Sequence, residues 1–314
     1  MADRYPLIFN PSARSQRGRR TLRFLMANAQ RFALYASRSA EDATELAATF
    51  AERGEPVVIA AGGDGTLNAV VQGLAGSSTA LGILPAGTMN VFARELGIPH
   101  TSLKKSLGVL DEMHVKEVDL FELNGHAFMQ MAGVGFDAQV IEETTWETKK
   151  VFGPLAYLMS AVKVLGEKPP KMKVICDDGR EEEGVCMIAG NGSLYGGQLK
   201  LFRKADNADE VLDALVFTEA GYKLVLDSVK GIATGAIDLG NSSVKYLQAR
   251  SFRVECDREV PLEADGEYLG RGDIMNLEPA QRKLRVIAPE NPKERIFDSV
   301  LKTLVNIPRK NIDQ

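Results

Sequence analysis

Cysteine is scarce in this chain of 314 residues: Cys176, Cys186 and Cys256 are the only three, and no CxxC spacing occurs. An odd, scattered set excludes a disulfide framework and a thiolate metal site, and is expected to be buried, reduced thiols of a cytoplasmic protein. Histidine is equally sparse. His100, His114 and His126 form no metal-ligand pattern and are expected on loops or the surface. No apolar run approaches the ~20 residues that span a bilayer. No leader peptide is expected either, because Met1 to Arg4 lead directly into a strand over Tyr5 to Asn10. Positive charge is not in excess: the net charge of -4 argues against a dedicated nucleic-acid binder. Repeats and low-complexity segments are missing as well. The apolar share of 45% and charged share of 25% are those of an ordinary soluble protein. The length suffices for two domains, each with its own core.

The richest stretch runs from Val57 to Asn68. Val57-Val58-Ile59-Ala60-Ala61 reads as a fully buried strand, and it ends in Gly62-Gly63-Asp64-Gly65-Thr66 before a helical run that includes Leu67 and Asn68. Glycines let backbone N–H groups approach an anion with no Cβ in the way, and the positive end of the helix starting near Thr66 points at the same spot. A glycine turn alone also serves ordinary strand-to-helix connections. A second unit of the same kind shifts the reading toward a phosphate ligand. Leu81-Gly82-Ile83-Leu84-Pro85 leads into Ala86-Gly87-Thr88-Met89-Asn90, then into a helical segment from Val91 to a Gly97-Ile98-Pro99 stop. Two such units place donors along one edge of a parallel sheet, where open α/β sheets bind ligands.

Residues 1 to about 120 alternate short strands with helical patterns, as a parallel α/β sheet requires. Ala40 to Ala51 reads as a helix with an acidic first turn. Between Ser12 and Arg23, the residues Arg14, Arg17, Arg19, Arg20 and Arg23 read either as a solvated basic helix start or as guanidinium groups reaching nucleotide phosphates. After residue 120 the texture changes. Phe121-Glu122-Leu123 and Ala127 to Met131, joined by Asn124-Gly125, form a hairpin signal. Strand-like runs follow at Lys171–Cys176, Gly184–Ala189, Ala214–Thr218, Ser243–Gln248, Ser251–Cys256, Gly266–Leu269 and Lys283–Ile287, which predicts a β-sandwich or barrel-like second domain. Helical patterns cover Val151–Leu165, a candidate wall for an acyl pocket, and Lys223–Thr234. The tail from Pro292 to Val305 carries Ile296, Phe297, Val300, Leu301 and Leu304 on one helical face and is expected to pack back on the first domain.

In order and spacing these residues resemble the diacylglycerol kinase catalytic-domain family of lipid kinases, which also holds sphingosine and ceramide kinases and many bacterial lipid kinases. The resemblance is carried by Asn10-Pro11, by Gly62 through Asn68, and by Pro85-Ala86-Gly87-Thr88-Met89-Asn90-Val91-Phe92-Ala93-Arg94. Further along it is carried by Gly133-Val134-Gly135-Phe136-Asp137-Ala138, Asn191 with Gly196-Gly197, and Asp265-Gly266-Glu267. It implies an N-terminal parallel α/β nucleotide domain (1–120, joined by a C-terminal helix at 292–314) and a C-terminal β-sandwich lipid domain (121–291), with ATP in the cleft between them. It makes Gly62, Gly63, Asp64, Gly65, Thr66, Leu67, Asn68 and Thr88 the nucleotide site, with Asn10 beside it and Ser37 in the place of a nucleotide-contacting Thr. Glu267 falls at the position of the general base, with Asp265 close to it; Asp64 is expected to organise water and Mg²⁺ around the phosphates. A lipid hydroxyl has a high pKa, so a carboxylate that accepts its proton fits the chemistry. The stretch Asp206-Asn207-Ala208-Asp209-Glu210-Val211-Leu212-Asp213 aligns with the family's Asp-Gly-x-Leu-Asp. There the resemblance makes Asp209 a Mg²⁺ ligand, with carbonyl oxygens from Asp206 and Val211; Glu210 departs from the family by replacing its glycine.

The implied function is an ATP-dependent lipid kinase that phosphorylates a hydroxyl of diacylglycerol or a related lipid, with ATP and Mg²⁺ required. The substrate lives in a membrane, so the expected enzyme is cytoplasmic and docks transiently on the inner leaflet through the mouth of its cleft. Nucleic acid is not an expected partner, and a sheet-edge homodimer is compatible with the pattern. The enzymatic rival is a NAD kinase, whose family shares Gly-Gly-Asp-Gly-Thr. Its Asn-Glu pair and downstream acid motifs are missing here, whereas Gly-Thr-x-Asn-x-Phe-Ala-Arg points to the lipid branch. A rival of another class is a non-catalytic lipid-binding regulator of the same fold. Glu210 favours that rival; Asp64, Thr88, Asp265 and Glu267 oppose it.

Overall fold

A computed structural model describes residues 4–11, 16–135, 169–196, 199–218 and 244–290. The first part alternates β1 (Tyr5–Phe9), α1 (Gln16–Ala27), β2 (Phe32–Ala36), α2 (Ala40–Glu52), β3 (Val57–Gly62), α3 (Asp64–Leu74) and β4 (Ala80–Pro85). The short α4 (Val91–Glu95), α5 (Leu103–Glu112) and β5 (Val115–Val118) follow. Strands β2, β1, β3 and β4 lie side by side and parallel. In β3 the side chains alternate between two cores: Val58 and Ala60 pack with α2 and α3, while Val57, Ile59 and Ala61 pack with α1 and α5. Both faces are covered, and that is why the strand reads as an unbroken apolar run.

The second part is antiparallel. It holds β6 (Phe121–Leu123), β7 (His126–Phe128), β8 (Met131–Val134), β9 (Met172–Cys176), β10 (Glu181–Gly184), β11 (Cys186–Gly190), β12 (Leu194–Tyr195) and β13 (Leu199–Lys200). Then come β14 (Leu212–Phe217), β15 (Val244–Ala249), β16 (Phe252–Ala264), β17 (Glu267–Pro279) and β18 (Leu284–Ile287). The long β16 serves both layers of a sandwich. Its first residues pair with β9 and its last with β8, and the register shifts between Glu255 and Val260. A strand that changes layer through such an irregularity is a standard way to turn a sheet corner. The core between the layers contains Phe121, Phe128, Val134, Val174, Val254, Leu262 and Leu277.

The last strand is a correction to the sequence reading. Lys283–Ile287, expected among the strands of the second domain, returns to the first sheet: β18 pairs with β4 in parallel and with β5 antiparallel. The hairpin of the two 13-residue strands β16 and β17 reads in the sequence as two short runs, because Asp257, Arg258 and Glu259 interrupt its apolar pattern on the exposed side. The Asn124-Gly125 hairpin is as read. Both residues have positive φ, 50° and 83°, as a type I′ turn requires. Cys176 and Cys186 are buried and Cys256 is half-buried; all are free thiols. The helical patterns at 151–165 and 223–234 and the tail helix lie outside the described residues.

Among the described residues the chain crosses between the sheets at two places, Asp119–Leu120 and residues 280–283. The crossings touch, since the Ala280 N–H donates to the Leu120 carbonyl at 2.8 Å.

Candidate active site

The carboxyl ends of β2, β1, β3 and β4 form one edge, and the expected nucleotide residues line up on it. Ser37 follows β2 and is buried; its hydroxyl donates to the Phe9 carbonyl at 3.3 Å. Asn10 follows β1 and is exposed. Beyond β3, Gly63 precedes α3 in an extended conformation and no side chain caps the helix. The first N–H groups of α3 therefore lack a side-chain acceptor, which suits an anion. Gly65 and Thr88 are exposed at this edge. Leu67, itself buried, lines the cavity at this edge together with Gly62, Gly63, Asp64, Pro85 and Asn90. Asn68 is buried, and its side chain accepts from Gln72 Nε2 at 3.2 Å.

The two glycine turns touch. A Cβ placed on Gly63 would lie 3.1 Å from Gly87 Cα, and one placed on Gly87 would run into the Gly63 backbone. Asn90, at φ 48°, closes the second turn: its Oδ1 accepts from the Gly87 N–H at 3.0 Å and its Nδ2 donates to the Gly87 carbonyl at 2.9 Å. Asp64 fastens the two turns together, because its Oδ1 accepts from the Val91 N–H at 2.7 Å. Replacing Gly87 with Ala is expected to push the turns apart. A misplacement near 1 Å costs about 10²-fold, so kcat/KM for ATP should fall by that order while the fold persists. Steady-state kinetics with a parallel melting curve checks it; unchanged kcat/KM would show that the contact is incidental.

Asp265 comes from the far end of the chain. It occupies the first position of the two-residue turn between β16 and β17, with φ 48° there and 84° at Gly266. Its carboxylate accepts three backbone N–H groups, from Met129 at 2.9 Å, Gln130 at 3.0 Å and Met131 at 2.9 Å. Those donors are available because the ladder breaks between β7 and β8. Burial pushes the Asp265 carboxyl up to about 6 against the pull of those N–H groups, and the charge of Asp64 adds to the rise. Asp64 is itself raised by burial. The structure thus brings together the two acid motifs that the sequence holds furthest apart. Glu267 stands on the partner strand opposite Ala264, partly buried, with no hydrogen bond to its carboxylate among the described residues. Burial lowers the pKa of half-buried His126, and the charge of Glu267 opposes that in part.

Three residues that sequence reasoning missed hold the halves in register. Glu95, at the end of α4, accepts from Ser193 Oγ at 2.8 Å, from the Leu194 N–H at 2.8 Å and from Gln130 Nε2 at 3.0 Å. Gln72 of α3 grips Ala127 of β7: Nε2 donates to its carbonyl, and Oε1 accepts its N–H at 3.2 Å. Buried Asn191 donates to the carbonyls of Asp119 at 2.7 Å and Met129 at 2.9 Å. Asn191 is among the residues that carry the family resemblance, which assigns it no role. Glu95 and Gln72 carry no local signal, because their partners lie far along the chain. Gly133 lies in β8 opposite Glu263, while Asp137 and Gly197 fall outside the described residues. Arg19, Arg20 and Arg23 are exposed on α1; Arg14 and the Arg17 side chain are not described.

The expected metal turn lies elsewhere, against Asp119. Asp209 Oδ1 accepts the Val211 N–H at 3.0 Å, and the Asp206 carbonyl accepts the Asp209 N–H at 3.4 Å. The Asp206 side chain accepts from the Ala208 N–H at 3.2 Å. Glu210 adopts φ 60°, the left-handed region natural to the family's glycine. Its carboxylate meets Lys283 Nζ at 3.1 Å and Arg250 Nη2 at 3.1 Å. A hard cation needs about six oxygen ligands. Here the Asp206 carbonyl and Asp209 Oδ1 accept the turn's own N–H groups, and an ammonium already holds the neighbouring Asp119 and Glu210 carboxylates, so this donor set does not fit a Mg²⁺ site.

Residues 4–123 match the family described as the diacylglycerol kinase catalytic domain, and residues 130–288 match the YegS C-terminal NAD kinase beta sandwich-like domain. Among relatives, a diacylglycerol kinase of Staphylococcus saprophyticus is 30% identical over 307 residues, 93% of this chain and 98% of that protein. One from Bacillus subtilis is 30% identical over 270 residues, 84% of this chain and 88% of that protein. A crystal structure from Bacillus anthracis, described as a candidate diacylglycerol kinase, superposes with a TM-score of 0.78 at 26% identity, over 92% of this chain and 96% of that one. An Archaeoglobus fulgidus NAD kinase solved with ATP shares the fold alone, at 10% identity and a TM-score of 0.52 over 95% of this chain and 98% of that one. The likeness runs through both halves of the chain. With the glycine edge, it places this protein in the diacylglycerol kinase catalytic-domain family, enzymes that transfer phosphate to an alcohol group.

Proposed function

We propose that this enzyme transfers the γ-phosphate of ATP to a primary hydroxyl of a membrane glycerolipid, diacylglycerol first among them, with Glu267 as general base. The observation that carries this reading is the contrast within Asp265-Gly266-Glu267. The Asp265 carboxylate is committed to three N–H groups, whereas no hydrogen bond ties Glu267 among the described residues. The committed acid fixes the hairpin, and the uncommitted one is left to take a proton. Asp64 and the first turn of α3 would hold the donor phosphates. Mg²⁺ carried with the nucleotide fits here, because a cation offsets the cost of two carboxyls that burial raises, Asp265 being raised further by the charge of Asp64. Its chemistry is charge neutralisation on the phosphates. Positioning is the rest, and it belongs to the chain's own residues.

Transfer from ATP to a panel of diacylglycerol, monoacylglycerol, phosphatidylglycerol, ceramide and sphingoid bases tests the proposal, with NAD as a control. Diacylglycerol should give the highest kcat/KM. Product from NAD and none from any lipid would overturn the reading.

A membrane substrate calls for transient docking by the mouth of the cleft. Met89 in the second glycine turn is 40% exposed and Tyr268 beside Glu267 is 55% exposed, so each half offers one large apolar side chain near the site. No helix among the described residues is long and apolar enough to cross a membrane. The protein is expected to float with anionic liposomes, and Met89→Ser with Tyr268→Ser to weaken that association. Complete retention in the soluble fraction, with and without nucleotide, would sink the docking proposal.

A further inference from the structure

The acidic turn at 206–213 meets both crossings between the sheets, and the group at the meeting point is an ammonium. Asp119, in the first crossing, is buried, with a side chain only 4% exposed. Its N–H donates to the Asn207 carbonyl at 2.7 Å, and its Oδ2 accepts the Glu210 N–H at 2.6 Å. Lys283, in the second crossing, places Nζ 2.9 Å from Asp119 Oδ1 and 3.1 Å from Glu210 Oε1. One lysine therefore joins three separate segments: the crossing into the second sheet, the crossing back, and the turn.

We propose that Lys283 supplies from within the chain the positive charge that the family's turn takes from a metal, so that this turn closes on Asp119 and Glu210 without a divalent cation. Four observations agree with it. The carboxylate facing the turn from the first crossing already has both oxygens engaged, one by Lys283 and one by Glu210. The Asp206 carbonyl and the Asp209 carboxylate are bonded within the turn. Glu210 keeps the left-handed backbone of the glycine it replaces, and its added side chain is the second carboxylate that Lys283 binds. An ammonium about 3 Å from the Asp119 and Glu210 carboxylates also repels a second cation from beside them. The glycine-to-glutamate departure and the lysine thus belong to a single exchange, a charged side-chain pair for an ion. The clamp reaches the catalytic half of the molecule, because Asn191 bonds both the Asp119 and Met129 carbonyls and the Met129 N–H holds Asp265.

The test is thermal unfolding of the full chain without nucleotide, in EDTA and in rising Mg²⁺ or Mn²⁺. The wild type should melt at the same temperature throughout. Lys283→Met should melt about 5 °C or more lower in EDTA, because it strands a buried carboxylate. It should then recover with divalent cation in a saturable way, since the vacated cluster is left with an excess of oxygen ligands. Lys283→Arg, which keeps the charge, should remain indifferent to metal and guards against a Met variant that fails to fold. Equilibrium dialysis of the wild type against Mn²⁺ should find no tight stoichiometric site. A tight site there, or a saturable metal-dependent rise in the wild type that Lys283→Met shares, would overturn the proposal. So would a Lys283→Met protein that melts as the wild type does in EDTA.

Discussion

Glu267→Gln is expected to lower kcat by about 10³-fold while ATP binds with unchanged affinity, because general-base catalysis contributes on the order of 10² to 10⁴. The variant removes a proton acceptor and little else: no hydrogen bond of Glu267 is lost among the described residues, and the hairpin is held by its own turn geometry and by Asp265. In the proposed arrangement the nucleotide is held by the other half of the molecule, at the α3 turn and the Gly63–Gly87 contact. Single-turnover transfer alongside calorimetric ATP titration separates the two effects. Full activity in the variant would move the role of base to another group. Loss of ATP binding in step with activity would mean that Glu267 shapes the nucleotide site instead.

What the sequence disclosed and what it hid divide along a physical line. The nucleotide edge was legible because each donor set is local. The strand, the glycines and the helix start lie within a dozen residues, so Val57 to Asn68 carries its own geometry. Asp265-Gly266-Glu267 was legible as a local motif of the family, while its two-residue turn with both Asp265 and Gly266 at positive φ comes from the structure. Its task was not legible, because the donors at Met129, Gln130 and Met131 are more than a hundred residues upstream and come from a break between β7 and β8 that looked like one continuous strand. Residues 283–287 were misplaced because Leu284, Val286 and Ile287 are apolar enough for either core; only pairing with β4 and β5 decides which sheet they join. Glu95, Gln72 and Lys283 act entirely across such distances. Metal ligands at Asp206, Asp209 and Val211 follow from an aligned pattern, and the ammonium that changes that pattern's meaning sits in the second crossing, about seventy residues on.

The pairing of an N-terminal phosphate edge with a C-terminal acid explains why the domain junction is so heavily bonded. Phosphoryl transfer depends on alignment of donor and acceptor, and here they are supplied by different sheets. Glu95, Gln72 and Gln130 fix one side of that junction, and Asp119 with Lys283 fixes the crossings.

The largest loss of stability at the site is therefore expected from Asp265→Ala. It strips three partly buried N–H groups of their acceptor, and each orphaned donor costs roughly 1–3 kcal/mol, so a fall in Tm of about 10 °C is expected. Asp265→Asn keeps the shape and removes the titration. Because burial holds the native carboxyl at about 6, above its ordinary value of 3.8, the native state binds this proton more tightly than the unfolded chain does. Its contribution to stability is then fully present below about pH 4 and is lost as pH rises through about 6. Asp213, also raised to about 6 by burial, moves stability in the same direction in both proteins and cancels in the comparison. Wild type should therefore lose stability relative to Asp265→Asn as pH rises from about 4 to 7. Denaturant melts of the two proteins across that range measure it, and a wild type that instead gains on the variant with rising pH would show that the three N–H groups outweigh burial and hold the carboxylate in its charged form.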